Sequence, residues 1–385
     1  MAGELLDYIA GLAATGVIFI SAVLVIPSMN YVTFLQVDQQ QLRNIAEQVF
    51  KTMLLEPGYP SDWGSTDPLD QNSVDRIGLA AEDSTFYVLD SDKVQHLVTD
   101  NPMGYIEYNK TRELLGLEDY GFSLSIVPPF NVTVENNEFE VAPSRVDLKL
   151  EVTVLDVDGG PIPNAVVEST IIYSTKKGEN SRLYVIIEKN STDLLGMCEV
   201  EKHMDAPSGE QFSDVIVVFR VSVANVASLF VTYQRVPPNN IANINFLGDN
   251  IVLTIPEVTP RGARWVDNII EFDWESFVSL YNGTRDNQLD KLTYGEGYKV
   301  WSRTFKGLKH GVPSLLIMGF WAVDEGVGRR CILIAGPNPN WFGSRVLQYG
   351  DPARAKGARC VVKLQRDVVI SGMTYLAEII VWKES

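Results

Sequence analysis

The stretch that decides the predicted fold begins with an uncharged run, IAGLAATGVIFISAVLVI at Ile9–Ile26, and continues into VDQQQLRNIAEQVFKTMLLEPG at Val37–Gly58. A helix rises about 1.5 Å per residue, so roughly 18 residues span about 27 Å, close to the ~30 Å hydrocarbon core of a bilayer. The uncharged run therefore predicts a transmembrane helix.

The polar stretch that follows keeps a helical pattern. Its apolar residues recur at intervals of three and four: Leu42, Ile45, Val49 and Met53, with Ala46, Phe50 and Leu54 widening the stripe. Pro57, Gly58 and Pro60 end the pattern. We therefore predict one long helix from Glu4 to about Leu55, roughly 75 Å long, apolar at its base and amphipathic above.

Composition limits the possible functions of the chain. Its 385 residues carry a net charge of −17, which argues against nucleic-acid binding because that function needs a basic face. Three histidines and three cysteines are scattered, without the spacing of a usual zinc site. We expect no cofactor, no bound metal and no nucleic-acid partner.

The N-terminus and the sequons predict the location of the chain. MAGELLD lacks Lys and Arg, and the apolar run is longer than that of a secretory signal, so the pattern favours a retained anchor. Four Asn-x-Ser/Thr triplets, the glycosylation candidates, all follow the run: Asn109, Asn131, Asn190 and Asn282. We predict a membrane-anchored glycoprotein whose body lies at the cell surface.

The predicted fold class is α+β, mostly β, in four parts. Residues 1–55 form the long helix, 56–128 a small mixed α/β segment, 129–236 a β-sandwich of short alternating strands, and 241–385 a second β-rich domain. Pro237 and Pro238 mark the boundary before the last part. Its final hairpin is expected to turn at Ser371 and Gly372.

The sandwich contains a specific motif, D-x-x-G-x-P-x-x-N-A-x-V. Its matching residues are Asp156, Gly159, Pro161, Asn164, Ala165 and Val167, and Thr192–Gly196 fits a later turn. This segment resembles Ig-like surface modules of the invasin or carboxypeptidase-regulatory type. The resemblance implies a structural spacer.

Candidate chemical sites have simpler structural alternatives. Asp156, Asp158, Gly159 and Gly160 resemble part of a calcium loop, but Val167 replaces the Glu that such a loop needs, which favours a turn. Alternation along a strand places Glu271, Asp273 and Glu275 on one face. These acids could form a carboxylate pair or bind a cation, and the simpler alternative is a strand face exposed to solvent.

The remaining candidates are the thiols, the histidines and an aromatic loop. Cys331 and Cys360 lie in strand-like runs and could form a disulfide or remain buried thiols. No nucleophile motif accompanies any histidine, so we predict a non-enzymatic protein. Trp341 lies in the loop Gly336–Arg345 and could contact a glycan or plug the core.

The first helix resembles that of type IV pilins. Glu4 and Pro27 are the nearest matches to the pilin Glu and Pro, and small residues let helices approach closely. The segments at Met53–Gly64, Ile77–Ala80, Tyr87–Val94 and Leu114–Phe122 are similar to archaeal surface proteins with pilin-like N-termini and Ig-like modules. The predicted assembly residues are Glu4, Ile9, Gly11, Gly16, Phe19, Val23 and Pro27.

These resemblances imply a structural subunit of an archaeal cell-surface filament, assembled through its hydrophobic N-terminal helix. Its expected partners are the membrane, other copies of the chain, and surface proteins or glycans. The alternative is a monomeric membrane-anchored adhesin, or a module that binds a glycan or peptide. A hydrolase that uses the acids at 271–275 is a third hypothesis.

Overall fold

A computed structural model describes most of the chain after residue 38. The described residues are Thr15, 39–65, 69–82, 84, 86–98, 104–177, 180–224, 226–233, 243–247, 250–256, 262–274, 276–282, 293–295, 298–304, 315–324, 327–335, 347–358 and 360–384.

Helices are few and short in this part of the chain. Helix α1 covers residues 39–55. Three more follow: α2 (Ser91–Gln95), α3 (Tyr108–Leu114) and α4 (Pro352–Ala355).

Strands dominate the described residues. They are β1 (Val88–Leu89), β2 (Tyr120–Val127), β3 (Asn131–Val141), β4 (Arg145–Leu155), β5 (Val166–Lys177), β6 (Asn180–Ser191), β7 (Met197–Asp205), β8 (Gln211–Val223), β9 (Val226–Tyr233), β10 (Asn243–Leu247), β11 (Asn250–Pro256), β12 (Gly262–Phe272), β13 (Phe277–Asn282), β14 (Thr293–Gly295), β15 (Tyr298–Thr304), β16 (Leu315–Asp324), β17 (Val327–Ala335), β18 (Leu347–Tyr349), β19 (Val361–Ile370) and β20 (Met373–Lys383).

A five-stranded sheet joins distant parts of the chain, in the order β1-β19-β20-β2-β18. Strand β2 pairs antiparallel with β20, so Gly121 lies opposite Trp382. A Cβ atom at position 121 would lie 2.3 Å from the Trp382 ring, so only glycine leaves room for that indole. The β19–β20 hairpin turns at Ser371 and Gly372, which both have positive φ, as predicted.

The predicted β-sandwich is present. Its outer sheet has the order β3-β4-β7, and its central sheet has the order β6-β5-β8-β9. One hydrophobic cluster fills the space between them, with Leu148 and Val152 from the outer sheet and Ile171 and Val217 from the central sheet. Alternation along β4 explains this arrangement, because every second side chain of that strand is buried.

The two inner strands of the central sheet, β5 and β8, are buried on both faces near their middles. Ile171 belongs to the cluster of the sandwich, whereas its neighbour Ile172 belongs to a second cluster. Ile216 and Val218 of β8 join that second cluster, and so do residues of the sheet β13-β12-β16-β17, which we call the third sheet. Residues 215–219 of β8 are continuously apolar, as expected of a strand covered on two sides, whereas β5 places buried Ser169 and Thr170 beside Ile171 and Ile172.

A carboxylate links the central sheet to the third sheet. The pairing of β5 with β8 slips between Ser174 and Thr175, and Asp214 lies at this irregularity. Its Oδ2 accepts a hydrogen bond of 2.8 Å from the backbone N–H of Ile332 on β17. Within the described residues β17 is the edge strand of its sheet, so Asp214 satisfies a backbone donor at that edge.

The predicted fold class is wrong in its first element. No helix in the described part of the chain combines the length and hydropathy needed to cross a bilayer. The helix that the structure does describe, α1, buries its apolar stripe in the protein's own core, and its opposite face carries an exposed Arg43–Glu47 ion pair. Residues Ile9–Ile26 lie outside the described residues, except Thr15.

The same finding corrects the predicted location. Membrane anchoring through a helix is not supported by any helix of the described residues. The sequence pattern of α1 is amphipathic. The same apolar stripe is expected whether the helix packs on a protein core or continues a longer helix, so the pattern alone could not distinguish the two.

The four predicted domain ranges remain a prediction, and the sheets show how the chain is grouped. The five-stranded sheet takes β2 from the predicted 56–128 segment and β18, β19 and β20 from the predicted 241–385 domain. A fourth sheet has the order β10-β11-β15-β14. The two ends of the described chain thus meet in one sheet.

Because β5 is buried on both faces, truncating either of two neighbouring side chains of this strand should destabilise the protein to a similar extent. Ile171→Ala and Ile172→Ala should each lower the free energy of unfolding by about 2–5 kcal/mol, because each leaves a cavity in a packed layer. The control Ile187→Ala, at a side chain that is 39% exposed on the edge strand β6, should cost less than about 1 kcal/mol. Urea unfolding measures all three variants. If Ile172→Ala alone lowered the unfolding free energy by less than about 1 kcal/mol, the face of β5 that carries Ile172 would not be packed.

Candidate functional site

The predicted assembly residues are outside the part of the chain that the structure describes. Glu4, Ile9, Gly11, Gly16, Phe19, Val23 and Pro27 all precede residue 39. Their assignment therefore remains a prediction. What the structure describes is the body that these residues precede.

Helix α1 is fixed to that body through its apolar stripe. Leu42, Ala46, Val49, Met53 and Leu54 are each at most 2% exposed and belong to the cluster shared with the five-stranded sheet. The start of the described helix is therefore held against the sheet by hydrophobic burial.

The chain leaves α1 through a close backbone crossing. The backbone N–H of Leu79 donates to the carbonyl of Met53, and that of Ala80 donates to the carbonyl of Glu56. A Cβ atom at position 78 would lie 2.2 Å from the Glu56 carbonyl oxygen, so glycine is required there. Trp63 is buried and donates its Nε1–H to the Gly78 carbonyl at 3.1 Å.

A buried lysine lies beside this crossing. The Lys93 side chain is fully buried, donates to the Ala80 carbonyl at 2.9 Å, and lies 3.6 Å from the Asp90 carboxylate. Burial lowers the pKa of Lys93, and the charge of Asp90 opposes that shift. Asp90 also caps α2 by accepting from the Asp92 backbone N–H.

His96 links three segments at the end of α2. Its Nδ1 lies 2.7 Å from the Gly104 carbonyl and its Nε2 lies 2.9 Å from the Gly64 carbonyl. Only a doubly protonated imidazole can donate to both oxygens. The residue is fully buried at the C-cap of α2.

The predicted glycosylation sites differ in their surroundings. Asn109 is exposed on α3, but Thr111 of its triplet is buried against Tyr349 with an oxygen–oxygen distance of 2.6 Å. Asn131 and its Thr133 are both exposed at the start of β3.

The other two sequons are less open or less fully described. Asn190 is half-buried on β6, and its Thr192 is buried between Ile162 and Ala165. Asn282 ends β13, and the rest of its triplet lies outside the described residues. Asn131 is therefore the most accessible candidate among the triplets described in full.

The disulfide between Cys331 and Cys360 is not formed in the structure, and Cys198 is also a free thiol. Cys331 is opposite Phe320 on β17, whereas Cys360 precedes β19 in the five-stranded sheet, so the two are not cross-strand neighbours. Burial raises the pKa of Cys198 to about 11, which makes that thiol a poor nucleophile at neutral pH.

The acids at 271–275 do not share one strand. Glu271 is buried on β12, which ends at Phe272. Asp273 belongs to the following turn, where its carboxylate accepts from the backbone N–H of Ser276 at 2.6 Å and from its hydroxyl. Glu275 lies outside the described residues. The expectation of one carboxylate face fails because the strand ends before the second acid.

The calcium-like sequence at Asp156 forms a turn, as the simpler alternative predicted. Asp156 Oδ1 accepts from the backbone N–H groups of Asp158 and Gly160, so this carboxylate oxygen caps the loop itself.

Sequence reasoning missed an acidic cluster on the outer sheet. Carboxylate oxygens of Glu138, Glu140 and Asp147 lie within 4.8 Å of one another. Asp147 is already paired with Arg145 at 3.1 Å and accepts from His203 on the neighbouring strand. The pairing of β3, β4 and β7 creates this cluster, because it places Glu140 opposite Asp147 and Asp147 opposite His203. Ion pairs on a sheet surface account for this cluster.

A second missed cluster surrounds Glu210. Its carboxylate accepts hydrogen bonds from Thr175 and Tyr184, and Arg182 lies 3.3 Å away. The hydrogen bond from Thr175, followed by the one from Tyr184, lowers the pKa of Glu210. Tyr184 also stacks on Tyr173 at 5.1 Å between ring centroids. This cluster ties the β5–β6 hairpin to the segment before β8.

Comparison with known proteins adds little. No protein-family model matches the chain, and no curated protein sequence matches it. Among solved structures, a crystal structure of red sea bream transglutaminase is similar at 9% sequence identity and a TM-score of 0.17. The match covers 59% of this chain and 33% of that protein. A similarity this weak says nothing about the fold or activity of the present chain.

The buried pair of Asp90 and Lys93 has a matched exposed control. Asp351 also caps a helix, accepts from the residue two positions on, and lies 3.6 Å from a cation, Arg354, but in solvent. Asp90→Asn keeps a good cap and removes the charge beside buried Lys93, so it should cost about 1–3 kcal/mol. Asp351→Asn should cost about 0.5 kcal/mol or less. Chemical unfolding of both variants checks this, and equal losses would contradict it.

The lowered pKa of Glu210 predicts a pH-dependent stability. A carboxyl whose folded pKa lies below its unfolded value of 4.5 stabilises the protein above that value. The contribution is lost as pH falls through the folded pKa. Wild type should therefore exceed Glu210→Gln in unfolding free energy at pH 7, and the gap should shrink between pH 4.5 and more acidic solution. Urea titrations at several pH values measure the gap, and a constant gap would count against this role.

Proposed function

We propose that this chain is a structural subunit of a filament of the archaeal type IV pilin-like kind. The subunit assembles through its apolar N-terminal segment, Ile9–Ile26, and displays its β-sheets around the assembled core. The partner in this role is other copies of the same chain, and the role requires no catalysis.

The observation that carries the proposal is the burial of α1. Helix α1 uses its own apolar stripe on the five-stranded sheet, as shown by Leu42, Met53 and Leu54, and so has no wide apolar face left for a partner. The uncharged run at Ile9–Ile26 is a separate apolar surface in the sequence. Removing about 18 such residues from water contributes tens of kcal/mol of gross driving force.

A rigid connection between the assembling segment and the body suits a filament subunit. The described helix is held by hydrophobic burial and by the backbone crossing at Gly78. Hydrogen bonds from Arg112 of α3 to the Tyr120 carbonyl and to Glu384 tie the same body to the end of β20. A load on the N-terminal segment would therefore be transmitted to a packed sheet.

The β-sandwich is proposed to be an Ig-like spacer. Two observations support this role: its outer and central sheets enclose one apolar cluster, and the motif residue Asp156 caps its own turn. Asn131 is the proposed glycosylation site, because both its side chain and Thr133 are exposed. A spacer of this kind positions other parts of the subunit.

Charge insertion into the apolar segment tests the proposal. Full-length wild-type protein should form filaments in negative-stain micrographs and pellet on ultracentrifugation. Val23→Glu should reduce the pelleted fraction at least about tenfold, because an unpaired carboxylate in an apolar interface costs several kcal/mol.

The matched control makes the same change elsewhere. Val278 is 41% exposed on β13, so Val278→Glu should leave filaments unchanged. Circular dichroism shows that both variants remain folded. Discrete wild-type particles, or filaments of Val23→Glu as abundant as those of wild type, would refute the proposed function.

A further inference from the structure

Two buried hydrogen-bond donors lack acceptors where the central sheet meets the third sheet. One is the Nε–H of Arg220 on β8, and the other is the Nε1–H of Trp274, in the turn between β12 and β13. Nearly all buried polar groups of folded proteins have a hydrogen-bond partner, so two orphaned donors in one place need an explanation.

The two side chains are in contact with each other. The guanidinium carbon of Arg220 lies 5.3 Å from the centre of the Trp274 ring, within the range of a cation–π interaction. The ring therefore presents its negative face to the cation. The indole N–H projects from the ring edge, which carries the positive part of the aromatic charge distribution and attracts an anion.

The charges beside Arg220 leave one positive charge without compensation. Lys189, Glu168 and Arg220 are successive cross-strand neighbours on β6, β5 and β8. The Glu168 carboxylate is paired with Lys189 Nζ at 2.6 Å. Among the described residues, no carboxylate forms an ion pair with Arg220. The row therefore holds two cations and one carboxylate.

The acids of the neighbouring strand β12 and its turn do not balance this charge. Asp273 accepts from the backbone N–H and the hydroxyl of Ser276. Ile270 and Phe272 pack in the cluster shared with the central sheet, so alternation directs Glu271, which lies between them, to the opposite side of β12.

The turn fixes the position of Trp274. Its φ of 66° is a left-handed conformation that residues other than glycine rarely adopt. The hydrogen bonds from Ser276 to Asp273 brace this turn, and the Trp274 ring packs on Phe272 with 5.2 Å between ring centroids. The indole N–H is therefore held in place before any ligand arrives.

The donors and the charge together determine the chemistry of the ligand. Guanidinium and indole groups donate hydrogen bonds and do not accept them. A water molecule could accept from these groups, but it would leave the charge of Arg220 uncompensated. A monovalent anion satisfies both the donors and the charge, and hydrogen bonds to a charged acceptor are the stronger kind.

We propose that this junction binds a small monovalent anion, held by the Arg220 guanidinium and the Trp274 N–H. The anion is either a free halide or a carboxylate group, which share one negative charge and the ability to accept hydrogen bonds. Because Arg220 belongs to the central sheet and Trp274 to the turn of the third sheet, the anion joins the two sheets. This site is independent of the proposed filament function.

Iodide quenching of tryptophan fluorescence tests the site. Iodide bound beside Trp274 should cause a saturable loss of fluorescence, distinct from the linear collisional quenching of exposed tryptophans. Full-length protein is titrated with iodide at constant ionic strength. Arg220→Gln keeps the fluorophore and should abolish the saturable part. The control Arg43→Gln, at an exposed arginine of α1 paired with Glu47, should retain it.

Competition identifies the source of the anion. Chloride added to the iodide complex should restore the fluorescence. Acetate that restores it equally well shows that the site also accepts a carboxylate, and acetate without effect limits the site to free halides. Wild-type quenching without a saturable part, or a saturable part unchanged in Arg220→Gln, would overturn the proposal.

Chloride-dependent stability is a second measurement, which stands even if Arg220→Gln fails to fold. Trp274→Phe keeps an aromatic ring on Arg220 and removes only the N–H. Chloride should raise the thermal unfolding midpoint of wild type, because a ligand that binds the folded state stabilises it. The rise should fall by about half or more in Trp274→Phe. An equal rise in both proteins would contradict a role for the indole N–H and overturn the site as proposed.

Discussion

Burial of one β-sheet on both faces is the constraint on which the rest of the structure depends. In β5, successive side chains enter different layers: Ile171 packs with the outer sheet and Ile172 packs with the cluster shared by the third and five-stranded sheets. Strand β8 repeats this division with Val217 and Val218. Because a one-residue slip would exchange the two faces, the register of these strands must match both neighbouring layers at once. Hydrophobic burial has no preferred direction, whereas the hydrogen bond from the Ile332 backbone to Asp214 fixes how the third sheet sits on the central sheet.

The second constraint is that the two ends of the described chain are built into one sheet. Strand β2 is flanked by β18 and β20, and α1 covers a face of this sheet through Val49 and Met53. The buried Lys93 and His96 stabilise the crossing segments by hydrogen bonds to three backbone carbonyls. A body closed in this way can hold α1 in a fixed orientation, which is what the proposed filament subunit would require.

Local patterns predicted the elements whose partners are close in sequence. The β19–β20 hairpin followed from alternation and from Ser371-Gly372, and the sandwich followed from regularly spaced strands and the motif at Asp156. The five-stranded sheet could not be predicted in this way, because the pairing of Phe122 with Val381 leaves no local signal. The predicted long helix was wrong for the described residues because an apolar stripe such as Leu42 to Met53 has the same pattern whether it covers a sheet or extends a rod. The buried role of His96 was missed because one of its two acceptors, the Gly64 carbonyl, is 32 residues away in sequence.

Hydrogen exchange of individual backbone amides tests the central packing claim most directly. Amides of interior strands that are covered on two faces should open only with global unfolding. We expect β5 and β8 to be the slowest strands in the chain, with Ile171 and Ile172 equally protected. Fast exchange throughout β5, at the rate of the outer strand β3, would show that the central sheet is open on one side and would contradict the account.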